Sequence, residues 1–331
     1  MTDTTRDSGL DTASLVPVTT DPTGGPEAPL SAPAKGEKAR SLGTDAWDEL
    51  RRRPMFWISG VLIVFFVLMA AFPQLFTSTD PTVADLSKAR EAPSADAWFG
   101  RDNQGYDVYA RTIYGARASI LVGVFATSFV AVLGSFVGII AGYRAGWLDS
   151  VLSRIGEIFL GIPLLLGGIL FLYIFPNDPL TTPFLVQVAK VALVLGIFGW
   201  PTIMRLMRSS VLQVKPNDYV QAARALGASP TRIINSHILP NSLASVIVVS
   251  TINLGAYISI EATLSFLGVG LQPPAISWGI QISEASGIGM IRAAPHMLLF
   301  PSVFLSLTVL AFIMLGDVVR DALDPKERAR R

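Results

Sequence analysis

Six apolar stretches, each about as long as a bilayer-spanning helix, constrain this chain more than any other feature. They run over residues 56–76, 119–142, 155–175, 184–204, 242–266 and 295–316. A helix needs about 20 mainly apolar residues to cross a hydrocarbon core of about 30 Å. Only 15% of the 331 residues are charged, whereas a soluble domain carries about 25%. The sequence therefore predicts an all-α integral membrane protein with about six transmembrane helices.

Composition also excludes several kinds of site. The chain has no cysteine, which excludes disulfides, thiolate metal sites and a cysteine nucleophile. The net charge is +1, whereas nucleic-acid binding calls for a concentrated basic excess. We expect no nucleic-acid partner and no metal site.

The distribution of basic residues predicts the orientation of the chain. Arg51, Arg52 and Arg53 precede the first apolar stretch, and such clusters stay on the cytoplasmic side. Six crossings then place both termini in the cytoplasm. The loop 205–241, which this orientation places inside, is rich in Arg and Lys, while the outer segment 77–117 balances its basic residues with acidic ones.

These patterns divide the chain into segments with different expected roles. We predict a disordered cytoplasmic tail at 1–47, a first transmembrane helix with a basic flank at 48–76, an extracytoplasmic loop with an interfacial helix at 77–118, a core transmembrane domain at 119–316 that contains a cytoplasmic loop at 205–241, and a cytoplasmic tail at 317–331.

The interfacial helix is predicted from helical spacing in the outer loop. Tyr106, Tyr109, Ala110 and Ile113 lie at i, i+3, i+4 and i+7, which places them on one helical face. Arg111 lies four residues after Asp107 on the other face, so the two are expected to pair.

Glycine and proline mark special positions within the spans. Gly134, Gly138 and Gly142 form two overlapping GxxxG steps, which predict helix packing because another backbone can approach closely. Pro163, Pro201 and Pro301 predict kinks, which serve as hinges or as static bends. Those two readings stay open.

Two ionisable side chains, Lys190 and Glu261, fall inside the spans. Such residues face the bundle interior or a pathway by default. Both lie near the outer ends of their helices, so we keep two alternatives: a pathway or outer-gate role, and a structural or interfacial role. In the structural alternative, Glu261 holds the outer loop that begins at Gly268.

The inside loop contains a predicted helix-turn-helix at residues 217–240, here called the knuckle. Tyr219, Ala222, Ala223 and Leu226 lie at i, i+3, i+4 and i+7 and give a short helix with a narrow apolar face. Gly227 suits the left-handed position that ends a helix. A second helix is favoured by Ser229 as its N-cap and Pro230 as its first residue, and Pro240 is expected to stop it. The knuckle either docks on a partner or packs on its own bundle.

The knuckle also carries a resemblance to a known family. Gln221-Ala222-Ala223 is followed after three residues by Gly227 and after nine more by His237-Ile238-Leu239-Pro240. This resembles the EAA signature of bacterial ABC importer permeases, although that pattern has Glu at position 221 and an aliphatic residue at position 237. The signature implies an ATPase-coupling role for Tyr219, Gln221, Ala222, Ala223, Leu226, Gly227, Leu239 and Pro240. Segments 99–117, 261–279 and 316–325 further resemble the C-type permeases of dipeptide and oligopeptide importers.

The resemblance implies a type I ABC importer permease fold, in a multi-pass protein of the bacterial cytoplasmic membrane. It implies a heterodimer with a homologous permease, two ATPase subunits and an extracytoplasmic binding protein that delivers short peptides. The chain has no G-x-x-x-x-G-K-[ST] loop, so ATP and Mg²⁺ are expected on the partners, and no cofactor or catalytic residue is expected here.

Three alternatives stay open. The same machinery could import nickel or another small solute. An ATP-independent channel or secondary transporter would need no ATPase. An intramembrane enzyme would need clustered catalytic groups, but the chain has two histidines, His237 and His296, with no metal-ligand neighbour at useful spacing.

Overall fold

The structure is a computed structural model that describes residues 47–323. The predicted tail at 1–47 lies outside the described residues except for Trp47. In the predicted tail at 317–331, residues 317–323 instead continue the last helix, and the remainder lies outside the described residues. The described part is helical, with one isolated β-bridge between Arg101 and Asp107.

The helices connect in simple succession along the chain. They are α1 Pro54–Ala71, α2 Val108–Arg144, α3 Gly146–Gly161, α4 Leu164–Ile174, α5 Phe184–Val214, α6 Asp218–Ala225, α7 Pro230–Ile233, α8 Leu239–Phe266, α9 Trp278–Ala285, α10 Ile288–Ala293 and α11 His296–Leu323.

The candidate spans agree with the predicted all-α membrane fold. Within the described residues, five helical segments are long and apolar enough to cross a bilayer: α1, α2, α5, the segment Pro230–Phe266, and α11. The pair α3 and α4, bent by 82° at their junction, gives a sixth candidate when the two helices are counted together as one broken span. Residues 155–175 were expected to form one helix, but Pro163 lacks an amide hydrogen and disfavours helical backbone at Ile162, which is extended.

Helix α2 packs closely on α5 through its three spaced glycines. A Cβ atom on Gly134 would lie 2.7 Å from the Trp200 carbonyl oxygen, and one on Gly138 would lie 2.6 Å from that of Met204. A Cβ atom on Gly142 would lie 2.9 Å from Cβ of Val211. The glycine row therefore sets the distance between the two central helices.

The start of α2 differs from the prediction in two ways. No separate interfacial helix forms over 106–113, because α2 runs unbroken from Val108 into the membrane span. Asp107 does not pair with Arg111. Its carboxylate caps α2 by accepting from the Ala110 amide at 2.8 Å, which satisfies a helix-end donor that would otherwise lack a partner.

Both described ends of the chain lie at the same end of the bundle. Arg53, just before α1, forms an ion pair with Asp321 in the last turn of α11, with Nη1 and Oδ2 2.7 Å apart. Near that end, Leu206 of α5 and Arg320 of α11 line one cavity. The knuckle follows α5 at this end, which we call the knuckle end; the other is the far end.

Candidate coupling site

The knuckle is a pair of short helices held by the local signals that the sequence contains. Helix α6 ends before Gly227, whose φ of +82° is left-handed. The Ser229 hydroxyl accepts a hydrogen bond from the Arg232 amide at 3.3 Å and caps α7, and Pro230 occupies the first turn. These are the geometries that glycine, serine and proline favour at helix ends.

One face of the knuckle packs on the bundle and the other is open. Val220, Ile233 and Ile238 are buried and join the main hydrophobic core. Tyr219 and Ala222 are exposed, and Leu226 is 89% exposed. Burying a leucine side chain contributes about 1.5–3 kcal/mol. The open face therefore offers an apolar anchor that the described part of this chain leaves uncovered.

The second helix of the knuckle does not stop at Pro240, contrary to the prediction. A π-helical turn over Ile234–Ile238 joins α7 to α8, and Leu239 and Pro240 lie in the first turn of α8. Proline is accommodated at this junction because the π-helical turn before it interrupts the α-helical hydrogen-bond ladder. The Asn241 side chain donates to the His237 carbonyl at 2.6 Å. The second helix of the knuckle and the fifth span therefore form one continuous helical segment, Pro230–Phe266.

Gln221 ties the first helix of the knuckle to α5. Its side-chain amide donates to the Lys215 carbonyl, the C-cap of α5, at 2.9 Å. A carboxylate has no hydrogen to donate. The glutamine that stands where the signature has Glu thus makes a contact that ionised glutamate could not make in this geometry.

Two further contacts fasten the same end of α5 to its neighbours. The Lys215 ammonium donates to the Tyr143 carbonyl at the end of α2, at 2.7 Å. Arg208 of α5 forms a bidentate pair with Asp149 of α3, with Nε–Oδ1 at 2.5 Å and Nη2–Oδ2 at 2.7 Å. Bidentate pairs fix geometry as well as charge. Sequence reasoning missed this pair, which joins positions 59 residues apart.

Glu261 lies at the far end and is fully buried in the protein. Its Oε1 accepts from the Ser265 hydroxyl at 2.8 Å, and the same hydroxyl oxygen accepts from the Leu271 amide at 3.0 Å. Ser119 and Ser277 also lie against the carboxyl group. This placement favours the structural alternative, in which Glu261 holds the loop that starts at Gly268.

Lys190 and the two histidines occupy separate places. The Lys190 ammonium donates to the Pro176 carbonyl in the α4–α5 loop at 3.0 Å. His237 lies beside the Tyr219 ring, with centroids 6.0 Å apart, and His296 Nε2 lies 3.1 Å from the Arg101 carbonyl oxygen. No group of three His, Asp or Glu side chains that could hold a metal ion occurs within residues 47–323.

A polar cluster at the far end was not predicted. Arg111 Nη1 lies 2.7 Å from Asp102 Oδ2 and 3.4 Å from Glu284 Oε2 of α9. Gln281 donates to the Arg111 carbonyl at 3.0 Å. Burial raises the pKa of Glu284 above its ordinary value, although Arg111 opposes the rise. The sequence signal was that Asp102 and Asp107 precede Arg111 by nine and four residues in the outer loop.

Comparison with known proteins identifies the family. Residues 134–329 match the family described as binding-protein-dependent transport system inner membrane component. The chain belongs to this family. Residues 41–93 also match the N-terminal transmembrane domain of oligopeptide transport permease C.

Curated relatives cover nearly the whole chain. The dipeptide transport system permease protein DppC of Alkalihalophilus pseudofirmus is 38% identical over 92% of this chain and 96% of its own length. The oligopeptide transport system permease protein OppC of Bacillus subtilis is 36% identical over 88% of this chain and 92% of its own. The glutathione transport system permease protein GsiD of Pectobacterium atrosepticum is 33% identical over 88% and 94%.

Solved structures share the fold. A chain of the MetNI methionine ABC transporter, in inward-facing conformations, matches with a TM-score of 0.50 and 21% identity, over 64% of this chain and 96% of its own. The fold is therefore that of an ABC importer permease. With its apolar spans, this membership makes the chain a multi-pass protein of the cytoplasmic membrane. It is a transport subunit and not an enzyme; in this family a separate subunit is the ATPase, and a binding protein supplies the solute.

Proposed function

We propose that this chain is the permease subunit of an ATP-driven importer that moves short peptides across the bacterial cytoplasmic membrane. The observation that carries the coupling part is the knuckle, whose open face presents Leu226 and whose second helix continues into α8. The cargo part is supported by relatives named for dipeptides and oligopeptides. Glutathione, which names a third relative, is itself a tripeptide.

The geometry supports a rigid-lever mechanism. Two cytoplasmic ATPase subunits close on ATP and press on the open face of the knuckle, where Tyr219, Ala222 and Leu226 fit a groove of the partner. Because α7 and α8 are continuous, the push reaches the fifth span directly. The Gln221 contact to Lys215 carries it to α5, and the helices move as rigid bodies that expose a central pathway to alternate sides.

The proposed mechanism also calls for further partners and for one orientation of the chain. The knuckle faces the cytoplasm, as the basic residues of that loop favour. A homologous permease completes the pathway as a heterodimer, and an extracytoplasmic binding protein releases peptide at the far end. ATP and Mg²⁺ are bound by the ATPase subunits, and this chain holds no cofactor.

Reconstitution of the complete complex in proteoliposomes tests the proposal. With ATP and the binding protein present, labelled dipeptides to pentapeptides should accumulate inside, and each should stimulate ATP hydrolysis. Competition with unlabelled peptide, glutathione and Ni²⁺ identifies the cargo class. Accumulation of Ni²⁺ but not peptide would contradict the cargo, and peptide flux through this chain without ATP or the ATPase subunits would contradict the whole assignment.

A further inference from the structure

The end of α11 contains an arginine to which the fold gives no partner. Two of its neighbours in the chain have clear roles: Gly316 packs against Ile252 of α8, and Asp321 pairs with Arg53. Arg320 is exposed, and it makes no hydrogen bond or ion pair with any of residues 47–323. Its guanidinium is therefore available to a ligand.

Beside Arg320, a cavity of about 460 Å³ lies between α5, α8 and α11. Gly316 lets α11 meet α8 at Ile252, and the cavity opens from there toward the knuckle end. Ala244 and Ser245 of α8 line it and are too small to fill it. Its volume falls within the range of about 300–1,000 Å³ that is usual for small-molecule sites.

The cavity has aliphatic walls and one charged group. The walls are completed by side chains without polar atoms, namely Leu206, Val248, Val249, Ile252 and Leu323. The polar side chains that line it are Ser245 and Arg320. Aliphatic walls favour a hydrocarbon chain, and a guanidinium favours a phosphate group. The cavity is therefore complementary to an amphiphile with an anionic head.

The exposed stripe of α11 places Arg320 at the membrane surface. Leu299, Val303, Leu310 and Ile313 lie exposed on one face of the helix, and Arg320 extends that face into the last turn. The rise from Leu299 to Arg320 is about 31 Å at about 1.5 Å per residue, which matches a hydrocarbon core of about 30 Å. The guanidinium therefore lies at the level of the lipid headgroups.

The surrounding charges leave Arg320 free to attract an anion. The next carboxylate in the chain, Asp321, is taken by Arg53 at 2.7 Å, and within the described residues Asp317 forms no ion pair with Arg320. The sequence beyond α11 adds further basic residues at 326, 328, 330 and 331. In the proposed orientation this end faces the cytoplasmic leaflet, whose anionic lipids attract basic residues next to a span.

We propose that this cavity binds an anionic phospholipid of the cytoplasmic leaflet, with an acyl chain between α8 and α11 and the phosphate on Arg320. The site goes beyond the proposed function, because it depends on the orientation of the chain and not on the solute. Helix α8 continues the second helix of the knuckle. The bound lipid therefore lies against the helix that carries the push of the ATPase subunits.

Photolabelling of the complete complex tests the site. The probes are phosphatidylglycerol and phosphatidylcholine with the same diazirine-bearing acyl chain, each present at the same low fraction in phosphatidylcholine vesicles that hold the complex. Adducts are mapped on this chain by mass spectrometry. Arg320→Gln removes the charge, and Ser245→Phe fills the cavity but keeps the charge. Arg292→Gln is the matched control, at an exposed arginine of the far end.

In the parent complex, phosphatidylglycerol should give about fivefold more adduct on residues 245–252 than phosphatidylcholine, the factor that one basic residue near an anionic surface supplies. Arg320→Gln should abolish this preference, Ser245→Phe should lower labelling by both probes, and Arg292→Gln should change neither. Millimolar inorganic phosphate should not compete.

Three results would overturn the inference. Equal labelling by the two probes in the parent, or an undiminished preference in Arg320→Gln, would remove the headgroup contact. Absence of adduct with both probes would show that a protein subunit covers the cavity. Competition by inorganic phosphate would assign Arg320 to a soluble anion. Neither peptide nor ATP is present, so a failure of the proposed function in the uptake assay leaves these results unaffected.

Discussion

Replacing Gly227 with valine should uncouple ATP hydrolysis from uptake. Gly227 has a φ of +82°, and a Cβ atom there would meet nothing within 4 Å. The penalty is therefore conformational and involves no clash. Left-handed backbone costs an L-residue about 1–2 kcal/mol, a factor of about 5–30 in the population of the native turn, and branching at Cβ makes valine one of the worst choices.

The assay is the ratio of peptide transported to ATP hydrolysed in proteoliposomes. We expect the Gly227→Val variant to lower this ratio severalfold, because the turn that aligns α6 with α7 no longer holds one geometry. Gly227→Asn should retain most of the coupling, since asparagine tolerates left-handed backbone.

Gly268→Val supplies a matched control at the far end. Gly268 has a φ of +75°, and its Cβ position is equally open, so valine there carries a similar backbone cost away from the knuckle. It should leave binding of the ATPase subunits intact. A normal transport-to-hydrolysis ratio in Gly227→Val, or equal losses in the valine and asparagine variants, would refute the reasoning.

Three further predictions concern packing, the knuckle contact and pH. Gly138→Ala should destabilise the purified complex by about 1–3 kcal/mol of overpacking, measured as a lower Tm, because its Cβ would lie 2.6 Å from a carbonyl oxygen. Gly60→Ala, which has open space around it, should leave the Tm unchanged. Gln221→Glu should remove the bond to the Lys215 carbonyl and cost about 1 kcal/mol, seen as faster proteolysis of the knuckle, whereas unchanged proteolysis would contradict that contact. The fold raises the pKa of Glu284, so the protonated side chain stabilises the protein below the ordinary glutamate pKa of about 4.3, and this stabilisation is lost as pH rises through the raised value. Glu284→Gln should therefore flatten that part of a curve of Tm against pH. An unchanged curve would contradict this role of Glu284.

The sequence predicted the features of the fold that depend on residues close together in the chain. Hydropathy located the spans because each must bury a continuous apolar surface in lipid. The knuckle helices were predicted from Gly227, Ser229 and Pro230, whose backbone preferences act within a few residues. The GxxxG row predicted close packing because the missing Cβ atoms lie on one helix face.

Features that depend on distant residues were missed. By its spacing, Asp107 can either cap α2 or pair with Arg111 at i,i+4. It caps α2, because Arg111 pairs with Asp102 instead. Pro163 indicated a break, but the 82° turn depends on how α4 packs over Phe198. Pro240 was read as a helix stop because the preceding π-turn, which accommodates it, has no clear sequence signal.

Cross-linking at the open face of the knuckle tests the central claim most directly. A photoreactive maleimide on Leu226→Cys is compared with one on Leu180→Cys, a loop position at the far end that is 94% exposed. In the assembled importer, position 226 should cross-link to an ATPase subunit and position 180 should not. Cross-linking of the ATPase at 180, or of the extracytoplasmic binding protein at 226, would contradict the account.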